Sequence, residues 1–262
     1  MGYVVIKCGG SIMDGLHPSF YENIVMMMEE NHVKPVIVHG GGPEISKMLD
    51  QLKIETRFID GMRVTTNEVL DVVEMVLSGT MNKTIVRNLM TCGGRSIGLS
   101  GVDGMLLEAG PIHQENQLGF VGRVHSVNTK IIERLLNEKL IPVISPVATD
   151  KHGGRWNVNA DLAAAAIAKA LQAPLCLLTN VPGILKNGKV LSNLSHLEVQ
   201  QLLDDGTITG GMIPKVKAAL DCLHEGIREV VILDGTEENA LKRFIGKEKI
   251  GTSINLELTY AK

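Results

Sequence analysis

The chain has 262 residues and a formal net charge of −3, with no long run of one sign, which argues against a nucleic-acid or membrane-surface partner. Hydrophobic residues make up 44% and aromatic residues 3%, so the core must rest on Val, Ile, Leu, Ala and Met, and the length suffices for one large α/β unit or two lobes. The cysteines Cys8, Cys92, Cys176 and Cys222 form no C-x-x-C, and no apolar run approaches the ~18 residues of a membrane helix; with no signal-like start, reduced thiols, a cytoplasmic location and no membrane span are expected.

Tyr3 to Ile6 is a β-branched strand that runs into Lys7-Cys8-Gly9-Gly10-Ser11, a strand-to-glycine turn. A helix is expected from about Pro18 to Asn31. Val36 to Val38 form a second buried strand, followed by His39-Gly40-Gly41-Gly42-Pro43-Glu44. The glycines open backbone conformations that include positive φ, Pro43 suits a first helical turn and Glu44 suits the positive helix end. Such a turn can gather backbone N–H groups on an anion, or can be an empty turn, and the triple glycine alone favours neither. It is not a GxxxxGK[ST] loop, since no lysine and hydroxyl follow at that spacing.

A helix to about Leu52 leads to Gly61-Met62-Arg63-Val64-Thr65. Arg63 offers a planar fork for a carboxylate, although a lone loop arginine is more often a surface residue. Thr66 is an N-cap candidate for a long helix, expected to break at Ser78-Gly79-Thr80 and resume over Asn82 to Met90. A strand over Ile97 to Leu99, hairpins between Met105 and Val127, a helix over Asn128 to Asn137, a strand over Ile141 to Ser145 and a hairpin tip near Asp150 follow. Asn157-Val158-Asn159-Ala160-Asp161 opens an alanine-rich buried helix. Helix-start chemistry accounts for Asn159 and Asp161, but not for Asn157 as well. Leu175 to Thr179 is a core strand feeding Asn180-Val181-Pro182-Gly183-Ile184-Leu185. A hairpin tip at Lys186 to Lys189, a helix over Leu197 to Leu203, and a glycine turn into a helix from about Ile213 to Glu225 come next. Lys215 would stand near the positive start of that helix, an unfavourable place that suggests an anion, the alternative being a solvated lysine. Val230 to Leu233 and Ser253 to Ile254 are closing strands. Strands alternating with helices predict an α/β fold: a three-layer αβα sandwich with a mainly parallel central sheet, in one domain of two lobes, about 1–172 and 173–262.

Five stretches in order, Lys7-Cys8-Gly9-Gly10, His39 to Pro43, Gly61 to Thr65, Asn157 to Asp161 and Gly210-Gly211-Met212-Ile213-Pro214-Lys215, resemble the amino acid kinase family along the whole chain, most nearly its branch acting on N-acetyl-L-glutamate. Cys8 stands where family members often carry Leu or Ile and is expected to pack as a small apolar residue, and Met62 stands where Leu is common, a near volume-conserving swap. The resemblance implies ATP-dependent phosphorylation of the γ-carboxylate of N-acetyl-L-glutamate, giving an acyl phosphate for arginine synthesis. It implies that Lys7 and Lys215 stabilise the phosphoryl group in transit, that Asp161 orients both lysines, and that Gly9, Gly10 and Gly41 donate backbone bonds to phosphoryl oxygens. Gly41, Gly42, Arg63, Asn157 and Asn159 would hold the amino acid. Asn180, Val181, Pro182, Gly183, Ile184, Leu185, Thr207, Ile208, Thr209 and Gly210 would hold ATP, with Mg²⁺ carried by the nucleotide and no dedicated metal site. Only Met1 and Gly2 precede the first strand, so a homodimer without strong arginine feedback is expected. A sibling kinase acting on carrier-protein-linked aminoadipate or glutamate, and a non-catalytic nucleotide or amino acid sensor, are the alternatives.

A carboxylate with a reference pKa near ~4.3 is ionised at neutral pH and needs no general base. His39 is therefore expected to be structural, and catalysis must come from positioning and charge compensation.

Overall fold

The computed structural model describes residues 2–30, 33–112 and 117–256. Among them an eight-stranded sheet runs through the molecule. Its strands in chain order are β1 (Tyr3–Cys8), β2 (Lys34–His39), β3 (Ser96–Ser100), β4 (Ile141–Ser145), β5 (Leu175–Thr179), β6 (Asn193–Ser195), β7 (Glu229–Asp234) and β8 (Thr252–Asn255). The spatial order is β6-β8-β7-β5-β1-β2-β4-β3, parallel throughout except between β7 and β8. Nearly every residue of the central strands β2, β4 and β5 is buried, as both faces of a parallel sheet require.

Nine helices accompany the described strands: α1 (Ser19–Glu29), α2 (Gly42–Gln51), α3 (Asn67–Glu74), α4 (Asn82–Thr91), α5 (Thr129–Asn137), α6 (Ala160–Leu171), α7 (His196–Asp204), α8 (Met212–His224) and α9 (Ala240–Ile245). Helices α1, α4 and α9 pack as one layer, and α5, α6, α7 and α8 as the other, which makes the three-layer sandwich. A four-stranded barrel of Leu107–Pro111, Val121–Val127, Val147–Thr149 and Arg155–Val158 sits beside the sheet and contains the expected hairpins. The expected end of α1 at Asn31, and residues 113–116 of the hairpin region, lie outside the described residues.

Two expectations are corrected. The helix that Thr66 caps does not break at Ser78-Gly79-Thr80; residues Met75–Met81 widen into a π turn and the chain continues directly into α4. Packing explains this: Val76, Leu77 and Met81 stay buried, while Ser78 Oγ hydrogen-bonds Ser145 Oγ at 2.9 Å. Gly40, Gly41 and Gly42 also do not use positive φ; Gly41 has φ 176, which is extended backbone. At Gly41, and at Gly10 facing it, the lack of a side chain answers a different need. A Cβ on Gly10 would lie 2.7 Å from Gly41 Cα, and one on Gly41 would lie 2.7 Å from Leu77 Cδ2. The two glycine turns touch backbone to backbone, with the π turn packed beneath them.

The order of the sheet sets the site. From β1 the chain moves outward one way to β2, β4 and β3, then returns to the other side of β1 as β5. The carboxyl ends of β1, β2 and β5 therefore open at a topological switch point, where open α/β sheets bind ligands. The register keeps these ends level, pairing Cys8 with both His39 and Leu178.

Candidate active site

At that edge lies a cavity of about 310 Å³, at the small end of ordinary ligand pockets. Its lining includes Lys7, Gly9, Gly10, Gly40, Gly41, Gly42, Arg63, Asn157, Asn159 and Asp161. Residues from four distant parts of the chain thus meet around one space.

Lys7 is the last outward position of β1 before the turn, and its Nζ lies 2.9 Å from Asp161 Oδ1, in the first turn of α6. Asn159 caps that helix, its Oδ1 accepting from Asp161 N at 2.8 Å and Leu162 N at 3.3 Å. Helix α2 starts on the cavity with Gly41 as N-cap and no side-chain cap, so its first-turn N–H groups lack intrahelical partners. Two glycine turns, one uncapped helix start and one lysine make an anion cradle.

Arg63 comes from the hairpin Phe58–Ile59/Met62–Arg63. Asp60 and Gly61 take φ 49 and 78, the paired positive values of a tight two-residue turn. That turn sets Phe58 opposite Arg63, and the Phe58 ring stacks 4.7 Å from the guanidinium carbon. Arg63 is only 9% exposed. Its Nη2 donates to Ser46 Oγ at 2.8 Å and to Gly42 O at 3.2 Å, but its buried Nη1 has no partner among the described residues. Burial lowers the guanidinium pKa from its ordinary value, yet an arginine stays charged at neutral pH. A buried, charged donor without an acceptor marks a place for an anionic group of a ligand.

His39 is fully buried at the end of β2. Its Nδ1 donates to Gly40 O at 3.0 Å, and its Nε2 accepts from Asn82 Nδ2 at 3.2 Å. Burial pulls its pKa down to about 4, so it is neutral and structural, as expected. Asn82 ties the strands together, donating also to Leu99 O of β3 and Val143 O of β4. Cys8 is likewise buried, and its thiol pKa is pushed up to about 12, which removes it as a nucleophile.

Lys215 stands apart from these residues. It lies in the first turn of α8 and its Nζ donates to Asn180 Oδ1, just beyond β5. Burial lowers its pKa, against the opposing effect of Asp234. The expected second contact of Asp161, to Lys215, is not formed; Asp161 pairs with Lys7, and Lys215 with Asn180. The Lys215–Asn180 bond instead ties the start of α8 to the segment that follows β5; residues 180–185 and 207–210 flank these two ends. Within them Ile184 is committed to the fold: its side chain is buried, its N–H donates to Thr252 Oγ1 at 2.8 Å and its carbonyl accepts from Leu191 N at 2.8 Å. The Ile208 side chain is buried as well, at 4% exposure. Asn180, Pro182, Leu185, Thr209 and Gly210 remain at the surface of this region.

Four supporting residues escape a reading of the sequence: Ser46, which anchors Arg63; Phe58, which stacks on it; Thr65, which bonds Asn157; and Leu77, which floors Gly41. The Asp60-Gly61 pair was a usable signal for the Phe58–Arg63 pairing, because such pairs favour two-residue hairpins.

The family model for the amino acid kinase family matches residues 2–234, and the chain belongs to that family. The acetylglutamate kinase of Oceanobacillus iheyensis is 45% identical over 96% of this chain and 96% of its own. That of Geobacillus thermodenitrificans is 51% identical over 88% of this chain and 90% of its own. The crystal structure of smu.665 from Streptococcus mutans superposes with a TM-score of 0.81 at 32% identity, covering 97% of this chain and 99% of that one.

Proposed function

We propose that the chain is a kinase that transfers the γ-phosphoryl group of ATP to the γ-carboxylate of N-acetyl-L-glutamate, a step of arginine biosynthesis. Relatives named acetylglutamate kinase, at good identity and coverage, support the reaction. The observation that carries the site assignment is the unpartnered buried Nη1 of Arg63, a residue that lines the same cavity as Lys7. The acidic side chain in the cavity lining, Asp161, is already paired with Lys7. Such a site suits a substrate with two carboxylates and no ammonium, which is what acetylation makes of glutamate.

In this reading Arg63 binds the α-carboxylate through Nη1, and Gly42 and Asn157 complete the amino acid subsite. Gly10 and Gly41 donate backbone N–H groups to the phosphoryl oxygens as charge builds on them. Lys7, held by Asp161, places a cation beside the same oxygens. The attacking carboxylate is already ionised, so no side chain has to remove a proton, consistent with a buried neutral His39. Asn180, Val181, Pro182, Gly183, Leu185, Thr207, Thr209 and Gly210 form the nucleotide side, with Lys215 at its border. Mg²⁺ would arrive with the nucleotide, whose phosphates supply the hard oxygen donors it takes. That ion would neutralise phosphate charge during transfer. Two lobes, divided near residue 172, would carry the amino acid and the nucleotide, and the family resemblance supports a homodimer, which light scattering reads directly. No helix among the described residues is long and apolar enough to cross a membrane.

The test is incubation with ATP, Mg²⁺, hydroxylamine and one acid at a time. Hydroxamate formed from N-acetylglutamate but not from free glutamate is expected. No hydroxamate from N-acetylglutamate would overturn the reading, and turnover of a carrier-linked acid in its place would point to the sibling activity.

A further inference from the structure

Thr65 does not line the cavity; it lies fully buried behind Asn157. Its Oγ1 donates to Arg63 O at 2.8 Å and accepts from Asn157 Nδ2 at 3.0 Å. The polarity of this chain of bonds is forced from one end. A backbone carbonyl can only accept, so the single hydroxyl proton of Thr65 goes to Arg63 O. The Thr65 oxygen must then accept, so Asn157 must turn its NH₂ toward it. One N–H of Asn157 is thereby spent on Thr65, and its Oδ1, which no protein group occupies among the described residues, is the acceptor it offers the cavity. With Thr65 at 0% exposure, no solvent competes for the proton. The backbone holds both residues still: Thr65 N donates to Leu118 O at 3.0 Å, Phe120 N to Thr65 O at 2.8 Å and Asn157 N to Phe120 O at 2.9 Å.

We propose that Thr65 is a positioning residue that sets substrate specificity, by holding Asn157 as an acceptor for the N–H of the substrate's acylamino group. This rests on the reading of the cavity as the N-acetylglutamate site. The selected feature is a secondary amide N–H next to the α-carboxylate. An ester oxygen in the same place would bring lone pairs against Asn157 Oδ1, and a buried acceptor left facing an acceptor is strongly disfavoured.

The experiment compares kcat/KM for N-acetyl-L-glutamate and for its ester isostere, (S)-2-acetoxyglutarate, in the native enzyme, Thr65→Val and Thr65→Ser. The native enzyme should prefer the amide by on the order of 10²-fold. Thr65→Ser keeps the hydroxyl and should keep that ratio within about threefold. Thr65→Val frees the Asn157 amide to turn over; the ratio should fall below about tenfold, chiefly through KM for the amide. Should the valine variant not fold, Thr65→Ala measured on the same pair decides by the same ratio. A ratio unchanged in the variant lacking the hydroxyl, with both substrates equally impaired, would make Thr65 a packing residue and overturn the proposal. A native enzyme indifferent to the N–H would overturn it too. Failure to phosphorylate N-acetylglutamate at all would show itself separately, as the failure of the underlying reading.

Discussion

Replacing Arg63 by Met tests the assignment of its guanidinium to the substrate rather than to the fold. The change removes the charge-assisted bonds from Nη2 to Ser46 Oγ and Gly42 O, together worth about 3–6 kcal/mol. It also removes a buried charged donor that has no acceptor, Nη1, whose desolvation costs several kcal/mol, on the order of the same amount. Methionine fills much of the same volume beside Phe58, 4.7 Å away in the native stacking. The two contributions nearly cancel, so the free variant should keep its stability to within ~1 kcal/mol, or a few degrees in Tm. Binding has no such compensation. A charge-assisted bond to a carboxylate is worth about 2–3 kcal/mol, or roughly 30- to 150-fold in KM for N-acetylglutamate. KM for ATP should stay within about twofold of the native value. Thermal melts with and without N-acetylglutamate, set beside steady-state kinetics, read both halves. A variant that loses several kcal/mol while keeping its KM for N-acetylglutamate would show that Arg63 serves the fold and would refute the reasoning.

Three further outcomes follow from the same geometry. Lys7→Ala and Lys215→Ala should each lower kcat by on the order of 10² or more, by analogy with the loss of one oxyanion donor, and an unchanged kcat in either would remove that lysine from the transition state. Gly10→Ala would set a Cβ 2.7–2.9 Å from the Gly41 and Gly42 backbone, so it should cost about 1–3 kcal/mol by urea titration and most of the activity. Gly42→Ala meets nothing within 4 Å and should keep its stability to within ~0.5 kcal/mol, so equal stabilities for these two variants would contradict the close approach of the turns. For His39, burial lowers the folded-state pKa from 6.5 to about 4, so the unfolded chain binds more protons between these values. Its contribution is fully present above pH 6.5 and is lost as pH falls toward 4, by up to about 3 kcal/mol. The difference in acid stability between the native protein and His39→Gln should appear in that window, and parallel curves there would contradict a buried neutral imidazole.

The legible part of this molecule is what local chemistry writes into neighbouring residues. Val36 to Val38 announce a buried strand, Asn159 a helix cap, and the alternation of strands with helices a parallel sheet; each appears in the structure. Less was visible wherever a short element depends on distant partners. Strand Asn193–Ser195 and helix Ala240–Ile245 are too brief to show a period, and exist because β8 and α1 pack against them. The π turn at Met75–Met81 follows from the glycine turns it supports, not from its own composition. The glycines at 40–42 stand out in the sequence, but the reason for the one at 41 lies in the packing. Gly41 needs room against Leu77 and Met81, and its backbone lies against Gly10, a fit that no residue-by-residue reading contains. Thr65 is the extreme case, since its role depends on Asn157, 92 positions along the chain.

In the proposed reaction the γ-carboxylate oxygen itself attacks the phosphorus of ATP. Phosphorus NMR of a reaction run with N-acetylglutamate carrying ¹⁸O in its γ-carboxylate reads that bond directly. An acyl phosphate resonance shifted by a bridging ¹⁸O, formed as ADP accumulates, is expected. Accumulation of ADP with unlabelled inorganic phosphate and no acyl phosphate would contradict it.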